Sequence, residues 1–500
     1  MKIFTVMLRI PIKYIMLPLG IALSACDKGL EELNANPNAS ETVSPEFLLS
    51  SVLINTAYDY QREAYWEEPA SAGRYITLVR NEENDKFDWG PRSWDNYYAR
   101  LSANREMMEI AAAMNQQQYV AVGKIMEAFI FAYITDLYGD IPYSEALLSR
   151  NEGIVHPKYD RQQNIYPALL NTLQEANDEL AGFSAGTDVT VDATADPMYS
   201  GSILKWRKLA NSLRLRMLLR ISKHYAPAFT EMQEILDDPM TYPVFEGNED
   251  NAEIRYLGDI GINSWPGGPL ANAFAEFDKR KPGKEIVDAL VERADPRLKV
   301  WIAEVDDPNG GRMPGHAYVG VPNAIPAPYD YNGGSPYISR LSAMFNSDSH
   351  PLLKASLMTY TELCFILAEC VQRGKVTVQG RTAESLYYEA IRSSMQYYGV
   401  EGGAETTDYY DQPGVQYDGT LEQLIIQKWI AMFLKGPEGW FDHRRTGFPQ
   451  FVTGPLAVST LIPKRFMYPD TELAYNEEQY RKALLQFGED KPGTLMWYLK

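Results

Sequence analysis

The sequence predicts an all-α dominated fold: a tetratricopeptide-like scaffold of helical pairs covered by long irregular loops. Three observations lead there. Apolar residues recur with a period near 3.6 in long segments along much of the chain. These segments come as neighbours joined by short turns, and such pairs bury their apolar faces by stacking on the next pair. Three long stretches, 65–92, 241–269 and 306–340, lack periodicity and are rich in Gly, Pro, Asn, Asp and aromatics. No exact short repeat and no clean boundary follow residue 45, so 46–500 reads as one domain.

The first strong stripe starts at Tyr119 and runs through Val122, Met126, Phe129, Ile130, Tyr133 and Leu137. Gly139 suits its C-terminal cap and Pro142 prevents continuation. A second helix is expected over 203–222, with Ala210, Leu213, Met217 and Ile221 on one face and Arg214, Arg216 and Arg220 along its other sides. A third spans 356–373, and its neighbour runs from Thr382 to just before Gly399. A fifth opens at Thr420, where Thr420-Leu421-Glu422-Gln423 fits a capping box, and continues to Gly436. Weaker helices are expected over 45–60, 93–114, 162–181 and 476–485.

At the N-terminus, Lys2, Arg9 and Lys13 precede an apolar run over 14–25. That run is short of the roughly 20 residues that span a bilayer, and it matches a secretory signal. It ends in Leu23-Ser24-Ala25-Cys26, which resembles a bacterial lipobox. The expectation is a signal peptide over 1–25, lipid attachment at Cys26 and a tether over 26–45. Asp27, Glu31 and Glu32 follow, and this acidic stretch resembles the signal that exports Bacteroidetes lipoproteins to the outer face of the outer membrane. Membrane contact is then expected through the lipid alone.

Charge and cysteines exclude several function classes. With 66 acidic and 47 basic residues the net charge is -19, a field that repels phosphate backbones and argues against a nucleic-acid partner. Cys364 and Cys370 are six positions apart in a helical segment, about 9 Å of rise, which is too far for a disulfide. They read as small buried apolar side chains, and a Cys-based zinc site is out.

No catalytic or cofactor signature appears: no G-x-S-x-G elbow, P-loop, G-x-G-x-x-G or H-E-x-x-H. The five histidines are scattered. No cofactor, metal or catalytic residue is expected. Glycoside hydrolysis needs only two carboxylates and leaves no strict local motif, so the acids were weighed singly. Asp136 and Asp140 are expected to bond backbone at the turn around Gly139, and Glu362 and Glu369 to pair with arginines or backbone donors. Residues 81–88 hold several acids and amides but lack the alternation and glycine of a calcium loop.

What remains is aromatic. Tyr65, Trp66, Trp89, Trp265, Tyr329, Tyr331 and Tyr337 all fall in the three irregular stretches. A flat ring beside Asn, Asp and Arg is what sugar recognition needs, the ring covering C–H faces while polar groups reach hydroxyls. Trp66, Trp89, Trp265, Tyr329 and Tyr331 are the expected ligand-binding platform. The competing reading is that these rings pin the loops to the scaffold. Trp94, Trp206 and Trp429 are assigned to the core.

Several segments resemble the SusD/RagB family. The best is Ile425-Ile426-Gln427-Lys428-Trp429-Ile430-Ala431, followed by Gly439-Trp440-Phe441-Asp442-His443-Arg444-Arg445-Thr446-Gly447. Asp136-Leu137-Tyr138-Gly139-Asp140-Ile141-Pro142-Tyr143, Asn211-Ser212-Leu213-Arg214-Leu215-Arg216, Tyr360-Thr361-Glu362 with Ala368-Glu369, and Arg465-Phe466-Met467-Tyr468-Pro469 with Glu472, Asn476 and Tyr480 come in the family's order. The resemblance implies tetratricopeptide-like units overlaid by loops. It also implies a non-catalytic surface lipoprotein that binds glycans and serves a SusC-like TonB-dependent transporter. No loop aromatic matches a family binding motif, so no ligand residue carries over. Three other readings stay open: capture of peptides or another nutrient, a surface glycosidase, and a purely structural lipoprotein.

Overall fold

A computed structural model describes residues 43–80, 83–183 and 190–500; the expected signal peptide, Cys26 and nearly all of the expected tether lie outside the described residues. Pro45–Lys500 forms one compact unit. Its longer helices are α1 (Pro45–Tyr65), α2 (Asp95–Ala113), α3 (Gln117–Tyr138), α4 (Gln162–Ala181), α5 (Ile203–Ile221), α6 (Ala228–Asp237), α7 (Tyr360–Gln372), α8 (Ala383–Tyr397), α9 (Leu421–Ala431), α10 (Glu438–Thr446) and α11 (Glu477–Phe487). Each packs on its neighbour in sequence from α1 to α6, α5 also packs on α7, and α7 on α8 and α9. This is the expected stack of helical pairs.

Side-chain caps set where several helices begin. The Lys205 N–H donates to Ser202 Oγ at α5, and the Glu362 N–H donates to Thr359 at α7 at 3.2 Å. Thr382 and Ser385 form a reciprocal capping box at α8. Each such cap contributes about 1 kcal/mol. At α9 only half of the expected box exists. The Gln423 N–H donates to Thr420 at 3.2 Å, but the Gln423 side chain turns to the Gln416 carbonyl and the Asp418 N–H instead. Helix α9 also stops at Ala431, and the chain reaches Gly436 through turns with positive φ at Leu434 and Gly436. Gly139 ends α3 at φ +90°, and a Cβ there would strike the Phe487 ring, so glycine is required twice over.

The short strands were not foreseen. Among the described residues they are β1 (Ile76–Leu78), β2 (Ile141–Pro142), β3 (Tyr159–Asp160), β4 (Ala252–Arg255), β5 (Arg280–Pro282) and β6 (Lys354–Met358). They pair antiparallel as β1–β5, β2–β3 and β4–β6. The expected helix over 356–373 therefore starts later, at Tyr360, because Ser356 pairs with Glu253 in β4. Strand β4 likewise lies inside the 241–269 stretch read as irregular. Strands of two to five residues are too short to show a reliable alternation, and their partners lie far away in sequence.

Helix α5 is the centre of the molecule, buried on almost every side, its arginines included. Arg216 donates through Nε to Glu362 at 2.7 Å; Arg220 bridges Asp136 and Glu438. Next to them, Arg445 holds Glu369 at 2.6 Å and Asp442 at 2.8 Å, and Lys428 reaches Asp442 at 2.6 Å. Arg444 donates to the Asp136 carbonyl at 2.9 Å. Asp140 does accept from backbone, but from the Gln162 N–H at 2.8 Å at the start of α4 and not at the turn around Gly139, whereas the Asp136 carboxylate takes Arg220 and the Tyr166 hydroxyl instead. Burial pushes the carboxyls of Glu438 and Asp442 up, but the adjacent cations outweigh it and hold both below the ordinary range. The motifs that carry the resemblance, apart from the 465–469 segment, thus meet in two adjoining buried ionic clusters. Cys364 and Cys370 are free and buried, and burial pushes the Cys364 thiol up to about 12.

Candidate ligand-binding surface

The five platform candidates do not share one surface. Trp265 is 1% exposed, wedged between Tyr65 at 5.0 Å, Tyr256 at 5.9 Å and Phe345 at 5.9 Å between ring centres. Trp89 is 5% exposed, edge-on to Trp440 at 5.5 Å and Phe466 at 5.6 Å, and its indole donates to the Asn84 carbonyl at 3.1 Å. Neither presents the open face expected of it, because tryptophans on loops that fold back gain more from burial than from solvent. Trp66 is half-buried under the Arg280 guanidinium. Tyr65 is fully buried at the end of α1. Trp94, Trp206 and Trp429 are core residues, as expected.

Tyr329 and Tyr331 remain. Tyr329 is 52% exposed, and Tyr331 is half-buried beside the Lys284–Asp288 ion pair. Their loop is not slack. Asn332 takes the left-handed conformation at φ +54°, which places its amide to donate to the Tyr337 carbonyl at 2.7 Å and accept from the Arg312 N–H at 2.8 Å. Gly310 and Gly311 let the Tyr337 ring lie against the backbone, where a Cβ would collide with it. Arg340 ties Asp278 at 3.0 Å to Asp306 at 3.1 Å. Beneath, Val79, Val305, Val319, Val321 and Ile338 form a small separate core on which Tyr331 packs. The outcome is a braced turn presenting two phenol rings, with exposed Asp330 between them in sequence and exposed Arg312 tied to Asn332 through its backbone N–H. It can cover an apolar face and bond hydroxyls.

The 65–92 stretch supports this side from within. Asp85 turns inward, accepting from the Ser71 hydroxyl and from the Leu78 N–H at 2.8 Å, so it is not part of a cation loop; Asn81 and Glu82 lie outside the described residues. No group of three or more His, Cys, Asp or Glu side chains among the described residues is placed to hold a metal. Burial pushes the Asp85 carboxyl up to about 7, against the pull of its hydrogen bonds. An unfolded aspartate loses its proton near pH 4, so between about 4 and 7 the folded chain keeps a proton that the unfolded chain has released. Stability from this group therefore falls as pH rises through that window. Asp85→Asn is free of that loss, and its melting temperature relative to the parent is expected to climb from about pH 5 to about pH 8. A difference flat with pH would show an Asp85 that is ionised throughout.

A second aromatic concavity escaped sequence reasoning. Tyr388, Tyr410 and Tyr417, with Arg392, Asp411 and Gln416, line a space of about 520 Å³. Tyr388 and its neighbour Tyr387 read as ordinary helical residues, and the other two lie beyond the helix end, so no local pattern joins them.

Comparison with known proteins places this architecture. A family model described as SusD-like, starch-binding associating with outer membrane, matches residues 37–469. The chain belongs to the SusD-like family. A SusD homologue of Bacteroides fragilis is 27% identical and superposes with a TM-score of 0.77, covering 92% of this chain and 100% of its own. A chitin-binding protein is 26% identical with a TM-score of 0.75, covering 91% of this chain and 99% of its own. A second Bacteroides fragilis SusD homologue, at 22% identity, a TM-score of 0.78, and 92% and 100% coverage, shares the fold. No curated protein sequence matches the chain. SusD-like membership agrees with the helical scaffold and with the motif order. No helix among the described residues is long and apolar enough to cross a membrane.

Proposed function

We propose that this SusD-like protein is a non-catalytic lipoprotein, anchored through Cys26 on the outer face of the outer membrane. It captures oligosaccharides there and passes them to a SusC-like TonB-dependent transporter. The observation that carries the reading is the braced loop that holds Tyr329 and Tyr331 at the surface of a rigid helical stack. A starch-binding family and a chitin-binding relative support a glycan as the ligand. Of the five rings expected from the sequence, Tyr329 and Tyr331 are assigned direct stacking and Trp66 a flanking role; Trp89 and Trp265 pin their own segments to the scaffold. Preorganised rings lose little entropy on binding.

Calorimetric titration of the full-length protein with starch and chitin oligosaccharides tests this. Saturable heat with one glycan class and no reducing sugar released is the expected result. The double variant Tyr329→Ala/Tyr331→Ala should weaken that binding about tenfold or more, the scale of one or two lost stacking contacts, with its melting temperature unchanged. Turnover of the glycan would overturn the non-catalytic reading. Unchanged affinity would overturn the site. Peptide capture is the competing reading, motivated by the net charge of -19; it predicts heat with cationic peptides only, and a steep loss of it with salt.

A further inference from the structure

A cavity of about 330 Å³ opens where the start of α2 meets the β2–β3 hairpin and the segment before α11. Its floor is Trp94, Tyr98 and Pro142, and Ile154 stands on one wall. The floor is rigid. Trp94 is held by Tyr98, Tyr138, Tyr159 and Tyr468 at ring-centre distances of 5.2 to 6.0 Å, and the Tyr98 hydroxyl donates to the Pro142 carbonyl at 2.6 Å. Two carboxylates, Asp95 and Glu472, face the same space, and no basic residue lines it. Glu472 is positioned through Oε2 alone, which accepts from the Tyr159 hydroxyl at 2.6 Å and from Asn476 at 3.2 Å. Of the basic residues on the flanking segments, Arg105 pairs with Glu127 at 3.2 Å and Lys158 with Glu145 at 3.3 Å, while Arg150 and His156 stand beside lining residues without lining the space themselves.

We propose that this cavity is a second binding site, separate from the tyrosine loop, for a ligand bearing a primary ammonium on a body with an apolar face. The volume is at the small end of ligand pockets and accommodates one sugar ring or one long side chain. An aromatic and proline floor covers the apolar face, and the two carboxylates neutralise the cation next to low-dielectric walls, where the attraction is stronger than in open water. A neutral sugar would leave both carboxylates without a counter-charge, and an anion would be repelled. An amino sugar and a lysine side chain share the required chemistry.

The test is titration of the full-length protein with two matched pairs. One is the glucosamine tetramer against the N-acetylglucosamine tetramer; the other is a terminally blocked glycine-lysine-glycine peptide against its ε-acetylated form. The ammonium member of at least one pair is expected to bind at least tenfold tighter than its acetylated partner. A preference in the sugar pair alone assigns the site to amino sugars, and one in the peptide pair alone to lysine side chains. Asp95→Asn or Glu472→Gln should abolish the preference, while Tyr329→Ala should leave it intact and so separate this site from the loop. Asp95 is exposed, so its variant remains informative even where Glu472→Gln fails to fold. Equal affinity within both pairs, no saturable binding of any member, or a preference that persists in both carboxylate variants would overturn the proposal.

Discussion

Glu438→Ala is expected to lower the stability of the protein by about 4 kcal/mol, measured as a shift of the urea unfolding midpoint. Glu438 is 2% exposed and pairs with Arg220 on α5, while Arg216 on the same helix lies 3.9 Å from its other oxygen. Truncation removes the acceptor that Arg220, Arg216 and the Tyr60 hydroxyl share, so each guanidinium keeps one carboxylate, Asp136 or Glu362, and loses its other charged contact, and the buried Tyr60 hydroxyl loses its acceptor. Removing one partner of a buried network costs more than the pair contributed, because the remaining charge stays desolvated. Glu438→Gln keeps the shape and some hydrogen bonding and should fall between parent and alanine variant. Because the network is buried, the loss should be nearly independent of salt, unlike a surface ion pair. A cost below about 1 kcal/mol would mean that water or side-chain rearrangement compensates the arginines.

Trp265→Ala is expected to cost about 3–5 kcal/mol, the range for truncating a buried aromatic. The ring touches Tyr65, Tyr256 and Phe345, so it joins the end of α1 to the strand-bearing 241–269 segment and to the 3-10 turn at Ala343–Asn346. Its indole N–H is buried without a partner, which subtracts from the stabilisation but does not reverse it. Trp89→Ala should cost a similar amount, whereas Tyr329→Ala should cost little, since half of that ring is already in water. The contrast separates rings that hold loops from rings that meet ligand. A Trp265→Ala protein that melts like the parent but no longer binds glycan would place Trp265 on the platform after all.

Much of the scaffold was legible in the sequence. Residues 162–181 and 203–222 mark α4 and α5 to within a residue, because Ser202 and the apolar period at 3.6 are signals carried by neighbouring positions. Glu362 and Glu369 read as carboxylates that need arginines or backbone donors, and arginines hold both, since a carboxylate amid apolar residues has few alternatives. The arginine partners were a different matter. Arg216 meets Glu362 from 146 positions away, and nothing local marks α5 as a helix buried on almost every side instead of an amphipathic one. The candidate site divides in the same manner. That aromatics concentrate in three irregular stretches is a property of the sequence, but Trp89 and Trp265 look no different there from Tyr329.

The presence of the helices and the burial of the two cysteines follow from residues within a turn or two of one another, and there the amino-acid order was sufficient. The start of α7, the end of α9 and the Thr420 box were decided by partners further away. Exposure does not follow from local order. Whether a ring becomes a platform or a wedge depends on which distant segment folds over it, and burial is a property of the whole packed surface. Trp89 was enclosed by Trp440 and Phe466, and Trp265 by Tyr65 and Phe345. Tyr329 alone among the three is open to solvent among the described residues, on a turn braced from below by Asn332 and Tyr337.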